Sequence, residues 1–177
     1  NNGTCLLPAY DECKKSSIIL SSEPPYSNWK ICYSFKGNDI IQSVLIKTRG
    51  EQLIMFFRPH SDPRYIWKSH STDHGVSWTP PDMTSLPNPL TGISTISVNN
   101  SIAMIYNHTH EHKRYPLSVS VSRDKGTTWE EHWNLDNVKF ETSYPSFILG
   151  NNNTVHGLYT YNRRMIKYVK FSTEKFL

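Results

Sequence analysis

Ser71-Thr72-Asp73-His74-Gly75-Val76-Ser77-Trp78 and Ser122-Arg123-Asp124-Lys125-Gly126-Thr127-Thr128-Trp129 are one pattern written twice, S-x-D-x-G-x-[ST]-W, set 51 residues apart. Five matched positions in each copy make this a specific signal. The residue types are those of a tight turn. An Asp side chain accepts hydrogen bonds from backbone N–H groups a few residues on, and Gly takes a positive φ that a Cβ would disfavour. The Trp then returns to the apolar layer the turn has left. The pattern reads as a structural clasp and not as a catalytic motif.

The clasp also sets a period. Ser22 and Trp29 keep the Ser-to-Trp spacing with Glu23 near the Asp position, and Ser172 and Glu174 keep the Ser-to-acid spacing. The four Ser positions are separated by 49, 51 and 50 residues. A period near 50 signals repeated supersecondary units. Hairpin turns fall at Asn1-Asn2-Gly3, Arg49-Gly50, Asn99-Asn100 and Asn151-Asn152-Asn153, where Asn and Gly supply the required backbone angles. Apolar runs precede the last three turns (40–46, 93–98, 147–149), and others follow all four (6–10, 53–57, 102–106, 155–161). A third set leads to each clasp position (18–20, 65–68, 117–121, 166–171). Leu117-Ser118-Val119-Ser120-Val121 alternates strictly, as a half-buried strand does, and no stretch has a helical period. The fold class expected is all-β: a β-propeller of four-stranded antiparallel blades, with repeats near 1–29, 30–78, 79–129 and 130–177.

At about 50 residues per blade, 177 residues form a single domain of some three and a half blades. A half-ring exposes sheet edges. The expectation is that upstream blades, or less favourably a second chain, close the ring. The net charge of +4 suits an anionic ligand without requiring one. No Lys/Arg run suggests nucleic acid; the longest basic pieces are Lys14-Lys15 and Arg163-Arg164. No apolar run approaches the ~20 residues of a membrane helix. Three cysteines, Cys5, Cys13 and Cys32, form neither a complete disulfide set nor a C-x-x-C metal pattern. Neither a metal nor a cofactor is expected. Four N-glycosylation sequons begin at Asn2, Asn99, Asn107 and Asn152, three of them on hairpin turns, and weakly favour the secretory pathway.

Strand alternation assigns the two faces. The Asn-rich turns and the clasps share one face. The other face carries the starts of the inner strands, near Gln42, Gly92 and Tyr144, and the loops 11–15, 60–63, 108–115 and 161–164. Arg58, Arg114 and one of Arg163 or Arg164 flank this mouth, with Tyr144 near its axis and Tyr10, Asp11 and Glu12 at the first unit's end. Arg, Tyr and carboxylates around a wet mouth fit recognition of an anionic sugar, since Arg grips a carboxylate bidentately.

These residues carry a family resemblance over most of the chain. It resembles the C-terminal half of a sialidase (neuraminidase) of the BNR, or Asp-box, repeat type, a six-bladed propeller, and most of all the broad bacterial-type branch. The strand Leu6-Leu7-Pro8-Ala9-Tyr10 is similar to one seen in that family. Phe56-Phe57-Arg58 resembles the strand bearing the second arginine of a carboxylate-binding triad, and 106–119 the segment bearing the third, Arg114. Thr142-Ser143-Tyr144-Pro145 resembles the segment that holds a tyrosine nucleophile. The resemblance implies retaining hydrolysis of a terminal sialic acid or a related acidic sugar, with acidic glycans as partners. Sialidases depart from the two-carboxylate scheme in using Tyr as nucleophile. A neutral phenol suits a substrate with a carboxylate at the reacting carbon, and a neighbouring carboxylate takes its proton. The acid/base Asp and the first triad Arg belong, by resemblance, to upstream blades, so this segment alone is expected to be inactive.

One position departs from the family. Where a Glu activates the tyrosine, this chain has Gln42, whose amide cannot accept that proton; Glu12 and Glu141 are the candidate substitutes. The alternative function is therefore a catalytically inactive or non-sialidase carbohydrate-binding propeller. His108-x-His110-x-His112 reads as a polar loop and not a metal site, and Trp29, Trp78 and Trp129 as core residues of the clasps.

Overall fold

Strand alternation and Asn-rich turns build an all-β chain of antiparallel sheets. The structure, a computed structural model, describes residues 3–37, 39–48 and 50–176. Asn1, Asn2 and Arg49, which belong to two expected hairpin turns and one sequon, lie outside the described residues. In chain order the strands are β1 (Cys5–Asp11), β2 (Ser16–Ser22), β3 (Lys30–Ser34), β4 (Ile40–Lys47), β5 (Leu53–Pro59), β6 (Tyr65–Ser71) and β7 (Asp82–Pro87). They continue with β8 (Ser94–Val98), β9 (Ser101–Asn107), β10 (Leu117–Ser122), β11 (Glu131–Asp136), β12 (Thr142–Leu149), β13 (Thr154–Tyr161) and β14 (Met165–Ser172), followed by a 3-10 turn, Thr173–Phe176.

Hydrogen bonding groups them into up-and-down units: β1-β2-β3, β4 to β7, β8 to β11, and β12-β13-β14. The first two units form one seven-stranded sheet through a single parallel pair, Ser16 opposite Ile40. The outer strands β3, β7 and β11 were not visible as apolar runs. Their sequences, KICYS, DMTSLP and EHWNLD, are short and mixed, as befits strands at a sheet's rim. Each follows a clasp position, so a repeat frame that starts after the Trp carries the outermost strand of one sheet at its head.

Three apolar clusters lie between successive units. Ile19 meets Ile40, Met55 and Phe57. Ile54, Phe56 and Ile66 meet Ile93, Met104 and Tyr106. Ile105, Val119 and Val121 meet Phe147, Val155 and Tyr159. Strands with a neighbouring sheet on both faces lose the polar alternation: all seven residues of β9 are buried. The last sheet keeps one open face, where Ile148, Leu158, Ile166 and Tyr168 are exposed.

The two full clasps form as their sequence requires. Ser71 Oγ donates to Asp73 Oδ1 (2.7 Å) and accepts from Gly75 N (2.9 Å), while Asp73 accepts Ser77 N (2.9 Å). Ser122, Asp124, Gly126 and Thr128 repeat the network. Gly75 and Gly126 have φ of +89° and +78°, and a Cβ on either would lie 2.8 Å from a side chain of the preceding unit, Leu6 and Phe56 respectively. The clasp is thus an inter-unit joint. The relaxed copies differ. In the first, Tyr26 takes the Gly position (φ +62°) and Trp29 Nε1 donates to Tyr26 O (3.1 Å), as Trp78 Nε1 does to Gly75 O. Yet Trp29 is 41 % exposed, against 7 % for Trp78, which corrects its expected place in the core. No sheet of a preceding unit lies under it among the described residues. In the last copy Phe176, in the 3-10 turn, is buried against Trp133 and Phe171.

Candidate functional site

Two β-bulges shape the mouth. In β4 the residues Gln42 and Ser43 face one partner between the pairs Ile41–Arg58 and Val44–Phe56; in β12 Tyr144 and Pro145 do the same between Ser143–Thr160 and Ser146–Leu158. Gln42 (φ +47°) and Tyr144 (φ +50°) both adopt the left-handed conformation there. A bulge re-aims a side chain that regular pleating would bury. At the matching position of the middle unit stands Gly92, whose missing Cβ would lie 3.1 Å from the Tyr144 ring. The small residue leaves the ring its place.

The structure brings Tyr10, Gln42, Arg58, Arg114, Glu141 and Tyr144 to one mouth. Arg58 Nε donates to Gln42 Oε1 (2.6 Å) and Nη1 to the Leu90 carbonyl (2.8 Å); Gln42 Nε2 donates to Tyr10 Oη (3.4 Å). Among the described residues Arg58 has no ion-pair partner, although it is half-buried. Burial pushes its pKa down; Tyr144 opposes that shift and Arg114 adds to it. Arg114 has the reverse balance. Burial works against its charge, but Tyr144 and Glu141 outweigh it and the pKa rises. Arg114 Nη1 donates to Glu141 Oε1 (3.2 Å), and its Cζ lies 5.3 Å from the centroid of the Tyr144 ring.

Glu141 is crowded with donors: Arg114, Ser143 Oγ (2.6 Å) and Arg163 Nε. Burial works to raise its pKa, and these donors lower it overall. Glu12 sits exposed in the 11–15 loop, 3.8 Å from Lys15, and its charge reaches Arg58. Among the described residues no carboxylate hydrogen-bonds the Tyr144 hydroxyl. Tyr144 stands between two cavities of ≈ 440 and ≈ 480 Å³. The first is lined by Pro8, Tyr10, Gln42, Gly92 and Pro145, the second by Arg114, Glu141, Arg163 and Arg164.

Three supports escaped the sequence reading. The loop Asn88-Pro89-Leu90-Thr91 holds the carbonyl that fixes Arg58. Asn88 is fully buried, accepts Thr91 N (2.8 Å) and donates to Thr91 O (3.1 Å), and Leu90 has φ +63°. Its Asn-Pro dipeptide is a turn signal that marks the loop but not its purpose. Asn107, also fully buried, donates to Pro116 O (3.0 Å) and Thr142 O (2.8 Å), tying the loop of Arg114 to the strand of Tyr144. Its sequon is therefore closed to modification in the folded chain. Ser143 helps to hold Glu141.

The three loop imidazoles go to different neighbours. His108 stacks on His132 (4.0 Å), His110 packs on Tyr65 (4.8 Å), and His112 meets Arg64. Burial, with His132 and His110 nearby, pushes His108 down to about 4. No metal-binding group of His, Cys, Asp or Glu is found among the described residues.

A family model of the BNR repeat-like domain matches residues 1–157. Solved structures agree on the fold. NanB sialidase from Streptococcus pneumoniae superposes with a TM-score of 0.81 at 15% identity over 98% of this chain and 30% of its own. The intramolecular trans-sialidase from Ruminococcus gnavus gives 0.78 at 16% identity, covering 97% and 41%. An α-L-arabinofuranosidase from Fusarium graminearum gives 0.68 at 16% identity, covering 98% and 60%. No curated protein sequence matches. The chain thus spans less than two thirds of each of these structures. Its class is that of the antiparallel all-β proteins with the sialidase fold. By its sequence it belongs to the BNR repeat-like domain family.

Proposed function

We propose that the chain carries one side of a sialidase-type site, which releases a terminal sialic acid or related acidic sugar from glycans when the ring is complete. The observation that carries this reading is Arg58. A half-buried guanidinium held, among the described residues, only by neutral acceptors, and facing Arg114 across Tyr144, is a charge awaiting an anion. The substrate carboxylate supplies it, bound by Arg58 and Arg114.

Tyr144 is the nucleophile. Its oxygen forms a bond to the anomeric carbon as the bond to the leaving glycan oxygen breaks, and water later releases the sugar with retention. The phenol proton passes to a carboxylate. Glu141 is engaged by three donors, which leaves Glu12 as the freer acceptor. The acid that protonates the leaving group lies in the remainder of the ring. The repeating units and inter-unit clasps support the same picture at larger scale: residues 1–177 as three and a half blades of a six-bladed β-propeller.

A second reading, binding without turnover, rests on Gln42, which puts an amide against Arg58 where the family resemblance places a proton-accepting Glu. A fluorogenic α-sialoside and the complete protein separate the two. Fluorophore release by the parent, lost in Tyr144→Phe and reduced at least about a hundredfold in Arg58→Ala, is the expected result. A folded protein that binds the sialoside without releasing fluorophore establishes the second reading.

A further inference from the structure

The second cavity beside Tyr144 holds two cations, Arg163 and Arg164, that the proposed hydrolysis does not use. Its walls are Arg114, Arg163 and Arg164 against a single carboxylate, Glu141, with Met165 and Ile166 as an exposed apolar floor. With Arg114 committed to the first acidic group, Arg163 and Arg164 against Glu141 leave a surplus of one positive charge. Arg114 and Arg163 already share Glu141. Arg164 has no ion-pair partner among the described residues.

The turn that presents these arginines is held in place and strained. Asn162 and Arg163 both take positive φ, +54° and +51°, and Arg164 N closes the turn on Tyr161 O (3.2 Å). Such a hairpin asks for Asn-Gly. This chain spends its second position on an Arg, which pays a backbone penalty that Gly would avoid. Asn162 N also donates to Glu141 O (2.7 Å), so backbone and side chain both bolt the turn to the strand of Tyr144. Strain kept at a fixed cationic turn points to a role in binding.

We infer that this ≈ 480 Å³ cavity is a subsite for a second anionic group, a carboxylate or sulfate on the sugar next to the one held by Arg58 and Arg114. The inference rests on the acidic-sugar reading above. The preferred glycans are those with two acidic groups on adjacent residues. Apolar Met165 and Ile166 take a sugar's CH face, and Arg164 with Arg163 takes the charge. The volume lies within the range of small-molecule sites.

Calorimetry on the complete Tyr144→Phe protein tests this with four probes: sialyllactose, a disialyl-lactose, a sulfated sialyllactose, and sulfated lactose without sialic acid. Tyr144→Phe prevents turnover during titration. The expected result is that at least one doubly acidic probe binds about tenfold more tightly than sialyllactose, and that this ratio falls to within twofold in Arg164→Gln. Arg164→Lys, which keeps the charge, retains part of the preference. Disialyl and sulfated arms distinguish carboxylate from sulfate. The subsite is overturned if the ratio is within twofold before mutation, or unchanged by Arg164→Gln in a protein of unaltered Tm. Sulfated lactose separates the two readings. If it binds through Arg164 while sialyllactose does not bind, the cavity stands and the acidic-sugar site falls.

Discussion

Gly126 shows what a single missing atom controls. Its φ of +78° and the 2.8 Å approach of Phe56 make two independent demands for glycine. Gly126→Ala is expected to cost ~2–4 kcal/mol, the sum of left-handed strain and overpacking against a buried ring. Gly37 has φ +85° with open space around it, so Gly37→Ala should cost only ~1–2 kcal/mol. Urea titration of both variants measures the difference; equal losses would remove the inter-unit contact from the account. Asp124 makes a pH prediction. Burial works to raise its pKa, but bonds from Thr128 and Ser122 bring it down to about 2, below the ~3.9 of an unfolded chain. A depressed folded pKa contributes stability above pH ~4 that is lost as the pH falls toward 2. Asp124→Asn should flatten the decline of Tm across that window.

Among elements, the loops around the mouth matter more than the strands. Asn88→Ala removes a buried side chain that closes its own loop, at a cost of ~1–3 kcal/mol. It also frees the Leu90 carbonyl from its fixed position, so sialoside affinity should fall without direct contact with ligand. A loss of stability with unchanged affinity would show that Arg58 is oriented by Gln42 alone. The 161–164 turn predicts the opposite sign. Arg163→Gly relieves a strained φ at the expense of an ion pair whose Arg is 71 % exposed, and exposed pairs contribute little. Thermal denaturation should show a gain of ~1 kcal/mol. The strands between Asn-rich turns were legible because apolar alternation and turn residues are local signals. The outer strands β3, β7 and β11 were not, since a rim strand needs little apolar surface of its own. The bulges were not legible either. An extra residue leaves no mark on composition, yet it aims both Gln42 and Tyr144.

Across the whole molecule, each unit shares its core with the next, and each full clasp rests on the unit before it. Among the described residues no unit keeps a private core. Unfolding of these residues should therefore be one cooperative transition, with tryptophan fluorescence and far-UV circular dichroism coincident, and Gly126→Ala should shift both together. Separate transitions would mean that the units fold independently, as weakly coupled repeats do. The sequence by itself determined the all-β class, the 50-residue period and the two clasps, because each depends on hydrogen bonds and alternation within a few residues. It also placed the Arg and Tyr candidates on one face, since strand direction alternates. Only the tertiary structure decided which of them meet. Arg58 against Gln42 and Leu90, and Glu141 between Arg114 and Arg163, join positions 16 to 32 residues apart in the chain. Those contacts depend on bulges, loop closure and the stacking of one unit on the next, which no local pattern of residues specifies.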